Sequence, residues 1–168
     1  MRFLVTGGAG FIGSNITEEL IKKGYFVRVL DNFSSGKKEN LEFALGLNKS
    51  RFQLISGDIR DKATCHKACQ SIDYVLHQAA LRSVPKSIKE PQRYNDVNID
   101  GTLFMLQAAL KNKVKRFVFA SSSSIYGNTD TFPEKEDFLP KLISPYALTK
   151  LAGEYYCRIF SQTYGFQT

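Results

Sequence analysis

Glycines recur every third residue at the first strand-to-helix junction of this chain, and that spacing limits what it can fold into. The segment Thr6-Gly7-Gly8-Ala9-Gly10-Phe11-Ile12-Gly13 follows the apolar run Arg2-Phe3-Leu4-Val5-Thr6. A short apolar run that stops at glycines reads as a buried strand. Phe11 to Lys23 carries Phe11, Ile12, Ile16, Leu20 and Ile21 as a helical stripe, and Gly24 ends it. Between the two, Gly7 permits a tight turn, Gly10 lets backbone approach a pyrophosphate, and Gly13 lets the helix pack on the strand. The helix N-terminus then offers free N–H groups to phosphate. Asp31 ends the second strand, 18 residues after Gly13. A carboxylate there accepts from both ribose hydroxyls of NAD and repels a 2′-phosphate, so the expected cofactor is NAD rather than NADP.

Strands and helices alternate along the rest of the chain. Strands are expected at Tyr25–Leu30, Arg51–Ser56, Asp73–His77 and Arg116–Ala120. Helices are expected at Lys38–Leu45, Lys62–Gln70, Gln92–Lys111 and from Pro145 to about Tyr164. Gly101 inside the long helix costs about 1 kcal/mol against alanine, which points to close packing there. Asp31 to Gly36 and Asn128 to Leu142 read as loops. Five strands separated by helices, with no hairpin signal, predict an α/β fold: a doubly wound, Rossmann-like parallel sheet covered on both faces. At 168 residues the chain reads as one domain, 1–168.

Several function classes are disfavoured. No run approaches the roughly 18 apolar residues that span a membrane, and the N-terminus lacks a signal-peptide core. The net charge of +7 is scattered over Lys22-Lys23, Lys37-Lys38 and Lys111 to Arg116, with no aromatic-basic platform for nucleic acid. Cys65, Cys69 and Cys157 are an odd count, which argues against a disulfide framework. Cys65 and Cys69 flank His66 without a second ligand cluster, so no metal site is expected. A cytoplasmic location is the expectation that follows.

Chemistry concentrates near the end of the chain, in Ser144-Pro145-Tyr146-Ala147-Leu148-Thr149-Lys150. Ser144 suits a helix N-cap and Pro145 the first helical position. Tyr146 and Lys150 then share a helix face, where an ammonium draws the phenol pKa down from about 10 toward neutral. A tyrosine so placed serves as general base or acid.

Glycines spaced G-x2-G-x2-G together with Tyr-x3-Lys resemble the extended short-chain dehydrogenase/reductase family. Within it the chain looks most like the UDP-hexose 4-epimerases, including those that accept N-acetylated UDP-sugars. The resemblance rests on Thr6 to Gly13, Asp31 to Gly36, Gly57 to Asp61, His77 to Pro85, Asn98 to Thr102, Ser121 to Gly127 and Ser144 to Lys150. It implies that Phe11 and Ile12 bind pyrophosphate through backbone N–H groups and that Asp31, Asn32, Ser34 and Gly36 surround the adenosine ribose. Asp58 and Ile59 would receive the adenine, Gln78, Ala79 and Ala80 form the floor under the cofactor, and Arg82 lie near its phosphates. Asn98 would fix the loops from within the long helix, and Ser83 would contact substrate. Ser122, four residues before Tyr126, matches the family's catalytic serine or threonine, with Ser123 and Ser124 beside the sugar.

The implied reaction is 4-epimerisation of a UDP-sugar. Tyr146 takes the 4-hydroxyl proton while C4 gives hydride to NAD, the keto sugar rotates, and hydride returns to its other face. Lys150 would hydrogen-bond the nicotinamide ribose. Related dehydratases and decarboxylases place carboxylates where this chain has Ser123 and Ser124, which disfavours them. A non-catalytic NAD-binding module and a nucleotide-sugar reductase stay open as alternatives. The family also implies a homodimer built on a four-helix bundle. Relatives continue well past the position of Thr168 into a substrate lobe, so this chain is expected to be the cofactor domain without it.

Overall fold

A computed structural model describes residues 1–168. Its centre is a five-stranded parallel sheet in the order β3-β2-β1-β4-β5. The strands are β1 (Arg2–Thr6), β2 (Phe26–Asp31), β3 (Phe52–Ser56), β4 (Tyr74–His77) and β5 (Arg116–Phe119). β2 is buried along all six residues, as a strand covered on both faces must be. The expected doubly wound sheet is therefore present, with strand bounds within one residue of those read from the sequence.

Successive side chains of β1 serve opposite faces. Leu4 joins Leu30, Val75, Phe117, Met105 and Leu106 in the larger core cluster. Val5 joins Val27, Val29, Leu41, Ala44 and Ile21 in the smaller one. The helices α1 (Phe11–Lys22) and α2 (Glu42–Leu45, after a 3-10 turn at Lys38–Leu41) close the second cluster. The first is closed by α3 (Lys62–Cys69) and the long helical segment that follows β4. Cys65 and Cys69 belong to this core: both are fully buried, and burial pushes both thiols up to about 12. No helix is long and apolar enough to cross a membrane.

Two departures from the sequence reading matter for the site. A helix α4 (Val84–Lys89) lies where none was expected, capped by Ser83 and opened by Pro85. The long helix is not uniform: α5 (Pro91–Tyr94) and α6 (Gly101–Lys111) are joined by a π-helical turn at Asn95–Asp100. Such turns insert one extra residue and are frequent at functional sites. Gly101 sits at the junction because a Cβ there would lie 2.7 Å from two side-chain carbons of Ile59. The last helix, α7 (Pro145–Tyr164), begins as the sequence implies, with Ser144 Oγ accepting from Ala147 N at 3.1 Å.

The register positions everything that follows. Thr6 pairs with both Leu30 and His77, Asp31 with Ser56, and His77 with Phe119. The carboxyl ends of all five strands therefore stop at one level. Strand order reverses between β1 and β4, which opens the crevice where ligands of open α/β sheets bind.

Candidate functional site

A cleft of about 440 Å³ lies along those strand ends. It is lined by Gly7, Gly10, Phe11, Ile12 and Gly13 from the glycine loop, and by Asp31, Asn32, Ser34 and Gly36 after β2. Asp58 and Ile59 after β3, Gln78, Ala79, Ala80 and Arg82 after β4, and Tyr146 and Lys150 of α7 complete it. Residues far apart in sequence meet because each stands just past a strand end. Ser83, Asn98, Ser122, Ser123 and Ser124 do not line the cleft.

The glycine loop has no room for side chains. Gly7 has φ +66°, and a Cβ there would meet Ala79 N at 2.7 Å. A Cβ on Gly13 would lie 2.2 Å from Gly7 O. No side chain caps α1, and its first turn holds no acidic residue. Its unsatisfied N–H groups and positive dipole end therefore face the cleft at Phe11 and Ile12. That arrangement suits a pyrophosphate.

Asp31 braces this loop. Its Oδ2 accepts from Ala9 N at 2.9 Å and its Oδ1 from Phe33 N at 2.8 Å. Each oxygen keeps acceptor capacity toward the cleft. Asp58 accepts from Arg60 Nη2 at 2.8 Å and from Asn32 Nδ2 at 2.9 Å, and the Arg60 guanidinium holds its carboxyl far below the usual carboxylate range. Arg60 was not singled out by sequence; its spacing of two from Asp58 was the available signal. Five cations (Lys37, Arg60, Arg82, Arg93, Lys150) face two carboxylates (Asp31, Asp58) around the cleft, a balance that favours an anionic occupant.

Lys150 is only 4% exposed. Its Nζ donates to Ala120 O at 2.8 Å and stands 4.9 Å from the centre of the Phe119 ring. Burial lowers its ammonium to about 8. One turn on, a Cβ at Gly153 would lie 2.3 Å from Phe119 Cζ, and Glu154 accepts from the Ser121 hydroxyl. Lys150, Gly153 and Glu154 thus key α7 to Ala120, Phe119 and Ser121 respectively.

Tyr146 is held from the other side by α4. Its N–H donates to Ser87 Oγ at 3.1 Å, and its ring meets Tyr94 edge-on with centroids 6.4 Å apart. Tyr94 OH in turn accepts from Ser83 N at 3.1 Å. Ser83 therefore caps α4 and anchors its start; the signal missed in the sequence is a serine cap with proline two residues on, close to the Ser144-Pro145 start of α7. Ser122 caps a 3-10 turn at Ser123–Tyr126 and pairs with Ser124 Oγ at 2.9 Å. Ser121, which the sequence reading passed over, is the serine that reaches the cleft. Asn98 is buried behind the cleft, where its amide accepts from Leu81 N at 2.8 Å and donates to Leu81 O at 2.9 Å.

Residues 3–168 match the model of the NAD dependent epimerase/dehydratase family. A UDP-N-acetylglucosamine 4-epimerase from Methanobrevibacter ruminantium M1, solved with UDP-N-acetylmuramic acid, is 42% identical with a TM-score of 0.89; the match covers 98% of this chain and 52% of that one. A UDP-glucose 4-epimerase of Bacillus subtilis (strain 168) is 37% identical over 156 residues, 92% of this chain and 46% of that protein. DesIV, a dTDP-glucose 4,6-dehydratase from Streptomyces venezuelae solved with NAD, is 34% identical with a TM-score of 0.92, covering 99% of this chain and 53% of that one. The chain spans about half the length of the curated relatives it matches. The chain belongs to the NAD dependent epimerase/dehydratase family.

Proposed function

We propose that the cleft holds NAD and that the protein is a UDP-hexose 4-epimerase, acting on a UDP-glucose or UDP-N-acetylglucosamine type of substrate. One observation carries this reading: the fold brings the side-chain-free glycine loop, Asp31 and the Tyr146–Lys150 turn into one cleft whose lining carboxylates both stand away from Tyr146. The lining carboxylates, Asp31 and Asp58, stand at the ends of β2 and β3, on the opposite side of the glycine loop from Tyr146.

Phe11 and Ile12 N–H groups would hold the pyrophosphate and Asp31 the adenosine ribose. When bound, NAD supplies reversible oxidation at the sugar C4. Tyr146 would accept the 4-hydroxyl proton and, once the 4-keto sugar has turned over, return it to that oxygen while the other face of C4 is reduced. Lys150, charged below about pH 8, would present its ammonium on the same helix face. Ser121 to Ser124 bring hydroxyls to the neighbouring loop, which can orient a sugar without protonating a leaving group.

Dehydratases and decarboxylases of the family are the second reading, favoured by the likeness to DesIV. Elimination needs a strong acid and a base near the sugar; the lining carboxylates stand away from Tyr146, and Glu154 is engaged by the Ser121 hydroxyl. Incubating the chain with NAD and each UDP-sugar, with products separated by chromatography, distinguishes the outcomes. The expected product is the 4-epimer with no net change in cofactor redox state. In a parallel incubation with NADH, stoichiometric oxidation of the cofactor would mark a reductase, and NAD binding without product a binding module. Tyr146→Phe is expected to lower turnover by about a thousandfold while NAD affinity holds within twofold, the scale of a lost general base.

The outer face of α7 carries Leu148, Tyr155 and Ile159, all exposed. We propose this face as part of a homodimer interface; light scattering at micromolar concentration is expected to give twice the chain mass, and a monomer would reject it.

A further inference from the structure

Beneath the cleft, buried side chains share hydrogens in one fixed direction. Thr6 Oγ1 lies 2.7 Å from His77 Nδ1 and accepts from Ala79 N at 3.2 Å. His77 Nε2 lies 3.1 Å from Thr102 Oγ1, and the Thr102 hydroxyl donates to Asn98 O at 2.6 Å. A carbonyl returns no proton, so the single hydroxyl hydrogen of Thr102 is committed to it and its oxygen must accept from His77. His77 therefore carries its proton on Nε2, and Nδ1 accepts from Thr6. Beyond Thr102 the chain of bonds continues through Asn98 Nδ2, which donates to Thr149 Oγ1 at 3.0 Å, and Thr149 donates to Tyr146 O at 2.8 Å.

We infer that His77 and Thr102 are positioning residues that lock the Tyr146 turn of α7 to the strand end carrying the glycine loop, with Asn98 and Thr149 as the links. None of the four lines the cleft. Each hydroxyl in the series gives one hydrogen and takes one, so loss of any link strands a buried donor or acceptor. His77 is 1% exposed and burial holds its imidazole down at about 3, which keeps it neutral and its tautomer fixed. An imidazolium would aim a second N–H at Thr6 and leave the Thr6 hydrogen without its acceptor. The π-helical turn contributes the Asn98 carbonyl and side chain together, one facing Thr102 and the other Thr149.

Thr102→Val keeps the shape and removes the hydroxyl, and Thr102→Ser restores it. In the isotopically labelled chain at pH 7, the His77 ring nitrogens are expected to show the neutral Nε2–H form. T102V is expected to disturb that tautomer, to shift the Tyr146 and Thr149 amide resonances, and to weaken NAD binding by about tenfold in calorimetry. T102S is expected to recover all three. An Nδ1–H tautomer in the wild type would overturn the inference. So would a T102V protein that melts earlier but keeps the Tyr146 amide shift and NAD affinity. Thr149→Val, at the far end of the series, reads the same coupling should T102V fail to fold. The affinity arm rests on the cofactor reading above; a wild type that binds no NAD would sink that reading, while the tautomer and amide shifts still decide the relay.

Discussion

Gly13→Ala is expected to weaken NAD binding by at least about a hundredfold. The new Cβ would stand 2.2 Å from Gly7 O and 2.7 Å from Gly8 Cα. Both are backbone atoms, so no side-chain rotation relieves the clash, and α1 must lift away from the turn that aims its N–H groups. Overpacking of this kind costs about 1–3 kcal/mol or more, and about 2.8 kcal/mol corresponds to a hundredfold in affinity. Titration calorimetry with NAD reads the effect. Gly46→Ala is the control, since nothing lies within 4 Å of a Cβ there. A G13A protein with wild-type affinity would remove the glycine turn from the binding site.

Lys150→Met is expected to have two opposite effects: greater stability at neutral pH and loss of function. At pH 7 the ammonium is charged in the folded chain, where its pKa is about 8, and in the unfolded chain, where it is 10.5. The cost of burying the charge is then fully present. Between about 8 and 10.5 the unfolded chain binds more protons than the folded one, so stability rises with pH across that window. Methionine removes the buried charge and also the bond to Ala120 O. The net gain is roughly 2 kcal/mol at pH 7, or about 4–8 °C in Tm for a chain of this size. Calorimetric scans of wild type and variant at pH 7 and pH 10 test this: the Tm gap is expected to shrink at the higher pH. A K150M protein less stable at pH 7, or a gap independent of pH, would contradict the assignment of a buried ammonium. A cation kept at such a cost is the signature of a functional group rather than a structural one.

Periodicity made the strands readable, since each is a short apolar run and all but β5 stop at a glycine, asparagine or aspartate on at least one side. It made α1 and α7 readable too, through apolar stripes and, at α7, a serine cap and proline. It could not show α4, which has six residues and no apolar stripe, although it supplies Ser87 against Tyr146. Nor could it show the π turn, because one inserted residue leaves the pattern of a 20-residue helix nearly unchanged. Sequence singled out Ser122 by its distance from Tyr126; it could not show that Ser122 also caps the local turn or that Ser121 lines the cleft.

The sequence alone determined the doubly wound sheet, the glycine turn, the place of Asp31 at a strand end and the placing of Tyr146 and Lys150 one turn apart on α7. Those features depend on spacing within a strand, a turn or a single helical turn, where chain connectivity fixes the geometry. Tertiary structure decided which of them meet, how deeply Lys150 is buried, and the orientation of the His77 ring. These depend on contacts between residues 17 to 71 positions apart, such as Asn98 with Leu81 and His77 with Thr6, whose distance only the packed sheet sets.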